Sequence, residues 1–191
     1  MKEQTHKEIP NQEIQDTVTS EQKEAIKEIA KLNLGALTRV DILLVALGAI
    51  PATEVSVHKW NDSAEKVQQV LEKAGLVCLP QQIKDGLKIT ASYAVAKEID
   101  IAKRLIGFEA NKDHTEYGRL MGYPETAIAA FGKEDKLADI DLYKDDPASR
   151  IISFRLSKDH AEKEMVIKRQ LADLIEQHAP ELYHELVDSQ R

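Results

Sequence analysis

Between residues 53 and 95 the hydrophobic period of the chain switches repeatedly, and that switching limits the folds open to it. Thr53 to Lys59 alternates, with Val55 and Val57 on one side and Glu54, Ser56 and His58 on the other, which predicts a half-buried strand. From Asp62 to Gly75 the period is helical. Val67, Val70, Leu71 and Ala74 share a face, Asp62 and Glu65 have capping-box spacing, and Gly75 ends the helix. Leu76 to Leu79 reads as a short strand halted by Pro80. After a turn at Asp85-Gly86, Lys88 to Val95 alternates again, placing Ile89, Ala91, Tyr93 and Val95 together. The order strand, helix, strand, strand lacks the regular alternation of a doubly wound parallel sheet. It predicts an α+β fold: a mostly antiparallel sheet of three or four strands with helices packed on one face.

The flanks are helical. Thr19 or Ser20 caps a helix through Ala25, Ile26, Ile29, Ala30 and Leu32 that ends near Asn33 or Gly35. A second runs from Thr38 to Leu47, with Gly48 past its end and Pro51 blocking continuation. Its residues Val40 to Leu47 are apolar nearly all round, as expected of deep burial or of a shared interface. Ile99, Ala102, Leu105 and Ile106 mark a helix closed by Gly107. Further on, Arg150 to Leu156 reads as a fourth strand with Ile152, Phe154 and Leu156 inward. Ser157 would then cap a long helix carrying Ile167, Leu171, Leu174 and Ile175, broken by Pro180 before a terminal helix with Leu182 and Leu186.

A chain of 191 residues with 42% apolar and 31% charged residues suits one domain, expected over 19–191, preceded by a polar, disordered arm over 1–18. A net charge of −7 argues against a broad nucleic-acid surface. Cys78 is the only cysteine, so an intramolecular disulfide and a Cys-rich zinc site are both excluded, and its apolar neighbours predict an inert thiol. The run Ile42 to Ile50 is too short to span a membrane, and the N-terminal stretch lacks the apolar core of a secretory signal. A cytoplasmic location is the expectation, with no membrane partner.

The most closely specified stretch is Asp113 to Phe131. Asp113 and Glu116 form a second capping box, and Tyr117, Leu120 and Met121 make an apolar helical face. Gly122 and Tyr123 end that helix and Pro124 opens the next, whose inner face is Ala127, Ile128 and Phe131. The segment Glu116-Tyr117-Gly118-Arg119-Leu120-Met121-Gly122-Tyr123-Pro124, followed by Ile128 and Phe131, resembles a motif of an uncharacterised prokaryotic protein family of unknown function. In that family Gly-Tyr-Pro is followed, one residue on, by a Cys-Cys pair. Here those positions hold Thr126 and Ala127, so a metal or redox role for the pair is absent, and the resemblance implies no activity.

An arginine, a tyrosine hydroxyl and a helix N-terminus at one corner suit an anion or carboxylate. The expected function is therefore binding of a small anionic ligand or a protein partner there, through His114, Glu116, Arg119, Tyr123 and Thr126. One alternative is an enzyme whose site is assembled from His58, His114, Glu116, Arg119 and Tyr123. Another is an oligomeric interaction protein docking through the 40–50 helix. Trp60 and Tyr93 are the residues that would stack a base.

No metal or cofactor is expected. His160 and Glu164 lie one turn apart but lack further ligands, since His178 is roughly 27 Å along the same helix, and a solvated pair is the expectation. The Asp139 to Asp145 segment opens like a calcium loop, yet Lys144 and Arg150 stand where glycine and glutamate are required. Walker, dinucleotide, nucleophile-elbow and zincin motifs are all missing.

Overall fold

The structure, a computed structural model, describes residues 19–81, 89–139 and 141–188. The elements run α1 (Ser20–Ala30), α2 (Ala36–Leu47), β1 (Ala52–His58), α3 (Ala64–Lys73), β2 (Val77–Pro80), β3 (Ile89–Ala96), α4 (Ile99–Asn111), α5 (His114–Leu120) and α6 (Glu125–Ala130). A 3-10 turn at Glu134–Lys136, α7 (Pro147–Ile151), α8 (Ala161–His178) and α9 (Pro180–Asp188) complete them. The fold is α+β with an antiparallel sheet of order β1-β3-β2, in which Val55 faces Tyr93 and Leu79 faces Ala94. β1 and β2 are therefore parallel to one another, joined by α3 and separated by β3. Among the described residues no helix is long and apolar enough to cross a membrane. The arm expected over 1–18 and the turn at Asp85-Gly86 lie outside the described residues.

Period-2 alternation sorts the sheet into two faces. Val55, Val57, Ala91, Tyr93 and Val95 join the main core, built with α1, α2, α3 and α8. On the other face Ala52, Ala94 and Ala96 are small, which lets Ala102 and Leu105 of α4 and Leu120 of α5 close over that end of the sheet. α2 is wrapped inside the chain: Val40 and Ile42 to Leu47 are all buried, and its turn ends at Gly48 with φ +78°. That left-handed cap suits glycine and no β-branched residue.

Local chemistry departs from the sequence reading at several helix ends. α3 is capped by Ser63, whose hydroxyl accepts from the Lys66 amide. Asp62 instead accepts the Asn33 amide at 2.8 Å and pairs with Lys66 at 2.9 Å, tying the α1–α2 connection to α3. α4 does not stop at Gly107. It runs on to Asn111, because burying Ala102 and Leu105 outweighs a glycine penalty of about 1 kcal/mol.

The expected fourth strand over Arg150 to Leu156 does not form. Arg150 and Ile151 end α7, and 152–156 are extended without a ladder, beside a single bridge between Leu137 and Ser157. Ile152 and Phe154 do face inward. Residues 136–138 hold its end, where the Leu156 carbonyl accepts the Ala138 amide at 2.9 Å, and α8 holds the rest. Lys168, 5% exposed, donates from Nζ to the Ile152 carbonyl at 2.7 Å and lies 4.9 Å from the Phe154 ring centroid. Glu164, 1% exposed, accepts the Ser157 amide at 2.6 Å and the Ser157 hydroxyl at 2.7 Å. Ser157 is thus bound to Glu164 rather than capping α8, which begins after His160. The expected solvated His160–Glu164 pair is corrected by the same bonds: Glu164 points inward. Burial brings the Lys168 ammonium down to about 8, against the opposing pull of the Asp146 and Glu164 charges.

Candidate functional site

The corner is built by two glycines that let helices touch. A Cβ on Gly118 would stand 2.7 Å from Ile128 Cγ1, so the Ile128 side chain of α6 seats directly against the α5 backbone. Gly122 has φ +74°, and a Cβ on it would lie 2.6 Å from Ile50 Cγ2, just beyond α2. The Tyr123 amide donates to the Gly118 carbonyl at 2.8 Å, closing the α5 end. Pro124 is the residue before α6 rather than its first turn. The inner face of α6 is Ala127 and Ala130, whereas Phe131 is turned out and 62% exposed, a correction to its expected inward position. Asp113 caps α5 through the Thr115 and Glu116 amides at 3.0 and 3.2 Å. The Glu116 carboxylate does not reach back to complete a capping box. It is bound by Arg104 of α4, through Nε at 2.9 Å and through Nη2.

The five expected ligand-binding residues divide between two sides. Arg119, Glu116 and His114 lie outside. Arg119 is already matched by Glu125 in a two-bond pair, Nε to Oε1 at 2.6 Å and Nη2 to Oε2 at 3.0 Å. Those bonds push the guanidinium further up and hold the Glu125 carboxyl below its usual range. The charge expected to attract an anion is therefore neutralised within the corner. Tyr123 and Thr126 turn inward. The Tyr123 ring packs 5.7 Å from Phe154, and the Thr126 hydroxyl donates to Glu164 at 2.5 Å. His58, named for an enzyme site, ends β1 about 20 Å along the strand from Ala52. Its ring stacks at 4.8 Å on Trp60, which is 57% exposed. Tyr93 is buried in the core, so no Trp60–Tyr93 base platform exists.

Two other arrangements escaped the sequence reading. One is a row of rings on the outer side of α4 to α6. Phe131 lies 5.8 Å from His114, His114 5.5 Å from Phe108, and Phe108 4.5 Å from Tyr117. Only three phenylalanines occur in the chain, and two of them are here. The other is a polar network under that row. Tyr117 donates its hydroxyl to Glu54 Oε2 at 3.3 Å, Gln81 donates to Glu54 Oε1 at 3.2 Å, and Ser92 donates to Gln81 at 3.1 Å.

Asp41 of α2 belongs to the same neighbourhood. Burial raises its carboxyl to about 6. Burial also raises the Tyr117 and Tyr123 phenols, and the charges of Glu54 and Asp41 push both further up. Among the described residues neither Asp41 nor Glu54 is in an ion pair. Among the described residues the arrangement is two partly buried carboxylates and two phenols with no cation paired to either carboxylate. A signal for it existed in the sequence, where Asp41 is the lone charge inside the Val40–Leu47 run.

Cys78 is partly buried and its thiol is pushed up to about 12, chiefly by burial, so it is not a nucleophile at neutral pH. Among the described residues no three His, Cys, Asp or Glu side chains are placed to hold a metal. An open depression of 560 Å³ is lined by Glu134, Leu137, Ala138, Asp139, Arg155 and Lys158. None of these is an expected site residue, and the Arg155–Glu134 pair at 3.5 Å already spans part of it. Comparison with protein-family models, with curated protein sequences and with solved structures finds no match to this chain.

Proposed function

We propose that the chain is a binding protein whose recognition face is the outer surface of α4, α5 and α6, and that it takes a partner presenting a cationic group. The observation that carries this reading is the run of rings from the exposed Phe131 and His114 through the half-buried Phe108 and Tyr117 to Glu54, a carboxylate that no cation among the described residues pairs. Aromatic faces attract ammonium and guanidinium groups, and the attraction grows when the cation is desolvated. A carboxylate held by neutral donors, with a second buried carboxylate nearby, supplies the charge such a group needs. The anion expected from the sequence is the less favoured ligand, since Arg119 is engaged by Glu125. The exposed Arg104–Glu116 and Arg119–Glu125 pairs border the row as a polar rim.

The test is an amide-shift titration of the full chain with two capped tripeptides, acetyl-Gly-Arg-Gly-amide and acetyl-Gly-Glu-Gly-amide. Salt-sensitive shifts at Glu54, Phe108 and Tyr117 with the arginine peptide alone support the proposal. Shifts centred on Arg119 with the glutamate peptide, or none with either, refute it.

A further inference from the structure

Among the described residues β1 has a strand partner on one side only, since β3 lies between it and β2. The phase of β3 decides which backbone groups of β1 face the other side. The Gln81 amide donates to the Ser92 carbonyl at 2.8 Å, and Pro80, which has no amide hydrogen, stands opposite Tyr93. Ser92 and Ala94 therefore turn their backbone groups toward β2, while Ala91, Tyr93 and Val95 turn theirs toward β1. Their partners Val57, Val55 and Thr53 face β3, which leaves the amides and carbonyls of Glu54, Ser56 and His58 pointing outward.

That edge is closed at both ends. Ala52, where it begins, is fully buried. At its far end the His58 amide donates to the Asn61 side chain at 2.8 Å, and the His58 carbonyl accepts the Asn61 amide at 2.9 Å. Between them Glu54 and Ser56 are half-buried, and the amide and carbonyl of each have no partner among the described residues. An edge of this kind is able to take up an extended chain. β2 is the poorer edge, because Pro80 has no donor on its outer side.

Side chains of an added strand alternate as those of β1 do. Opposite Glu54 and Ser56 they lie on the sheet face that Tyr117 meets, and opposite Val55 on the face that joins the main core. A basic residue opposite Glu54 comes within a Cβ separation of about 5 Å of it. It meets a carboxylate that no cation among the described residues pairs. A second copy of the chain fits less well, since it carries a net charge of −7 and brings its own Glu54 to the same face.

We propose that the partner is an extended basic peptide that adds to the outer edge of β1 as a fourth strand, hydrogen-bonded to Glu54 and Ser56 with its cation beside the Glu54 carboxylate. This rests on the cation reading above and adds to it the way the partner's backbone is held.

Hydrogen exchange of the full chain tests it, with acetyl-Thr-Val-Arg-Val-Thr-amide as the probe. In the free protein the Glu54 and Ser56 amides should be at least about tenfold less protected than those of Val55 and Val57. Equal protection would show the edge already covered, and protection that rises with protein concentration would make a second copy the occupant. Either result overturns the proposal. The pentapeptide at saturation should slow exchange at Glu54 and Ser56 by about tenfold or more. The same peptide with an N-methylated arginine keeps the charge, loses the amide that faces β1, and should leave both unchanged. Equal slowing by the two peptides would refute strand addition. Salt-sensitive shifts at Phe108 and Tyr117 without slowing at Glu54 and Ser56 would refute the added strand and leave the cation reading standing. No shifts with either peptide would refute both.

Discussion

Replacing Asp41 by asparagine should stabilise the protein at neutral pH, by an amount that follows from where the side chain sits. Burial lifts its carboxyl from an ordinary value near 4 to about 6. The folded state therefore holds this proton more tightly than the unfolded chain does. The stability linked to it is fully present below about pH 4 and is lost as pH rises through about 6. A change of two decades corresponds to about 3 kcal/mol lost from the folded state by pH 7. Asparagine keeps the shape and removes the charge, but leaves a partly buried amide to satisfy at a cost of about 1 kcal/mol. The net gain at pH 7 should be about 2 kcal/mol. Urea unfolding of both proteins at intervals from pH 4 to 8 reads it directly. The stability difference should be small or slightly unfavourable at pH 4, climb between 4 and 6, and level off above. A difference that stays flat across that range would show that Asp41 is solvated, and the account of the buried carboxylates would fall with it. The same variant should bind the arginine tripeptide more weakly, because the charge that costs stability is part of what draws the cation.

Two substitutions in the corner should behave in opposite ways. Gly122→Val places a β-branched residue at φ +74°, with its Cβ 2.6 Å from Ile50, and should cost about 1–3 kcal/mol or more in urea unfolding. A value within error of the unaltered protein would mean the corner does not rest on Ile50. Arg119→Ala removes a fully exposed ion pair and should leave the unfolding midpoint within measurement error. A marked loss would make the Arg119–Glu125 pair a structural tie.

How much of this was legible depends on the range of the forces involved. The alternation at Val55–Val57 and at Ala91–Tyr93–Val95 reports burial along a single strand, and both strands are where the pattern places them. The alternation of Ile152, Phe154 and Leu156 reports the same thing, an extended backbone with one buried side. Pairing is a separate matter, because Glu164 and Lys168 supply from α8 some of the bonds that a neighbouring strand would otherwise supply. At the start of α3, Asp62 and Ser63 are both able to cap, and the choice fell to Ser63 because Asn33, distant in sequence, claims Asp62. Gly122 marked the end of α5 from the sequence, but neither its contact with Ile50 nor that of Gly118 with Ile128 could be read there. The polar network was hidden for a similar reason. Nothing local to Asp41, Glu54 or Tyr117 says that α2, β1 and α5 converge, and nothing in the spacing of Arg119 and Glu125 says that the two side chains pair across the corner.

The strand order has a consequence for how the chain acquires its structure. β3 lies between β1 and β2, yet it is the last of the three to be synthesised. Until Ala96 has been made, neither β1 nor β2 has its full partner, and both must wait without a ladder while Val55 and Val57 shelter against α1, α2 and α3 at best. Helices α1 to α3 rely on short-range bonds and are free to form early, on a timescale of about a microsecond. The sheet is then not extended strand by strand. It is completed in one step when β3 enters between two waiting neighbours, and at about 5–20 residues per second of synthesis those neighbours stay unpaired for seconds. The exposed edges of β1 and β2 during that interval are where misassembly would begin, and Pro80 at the end of β2 removes one of the backbone donors from which it would spread.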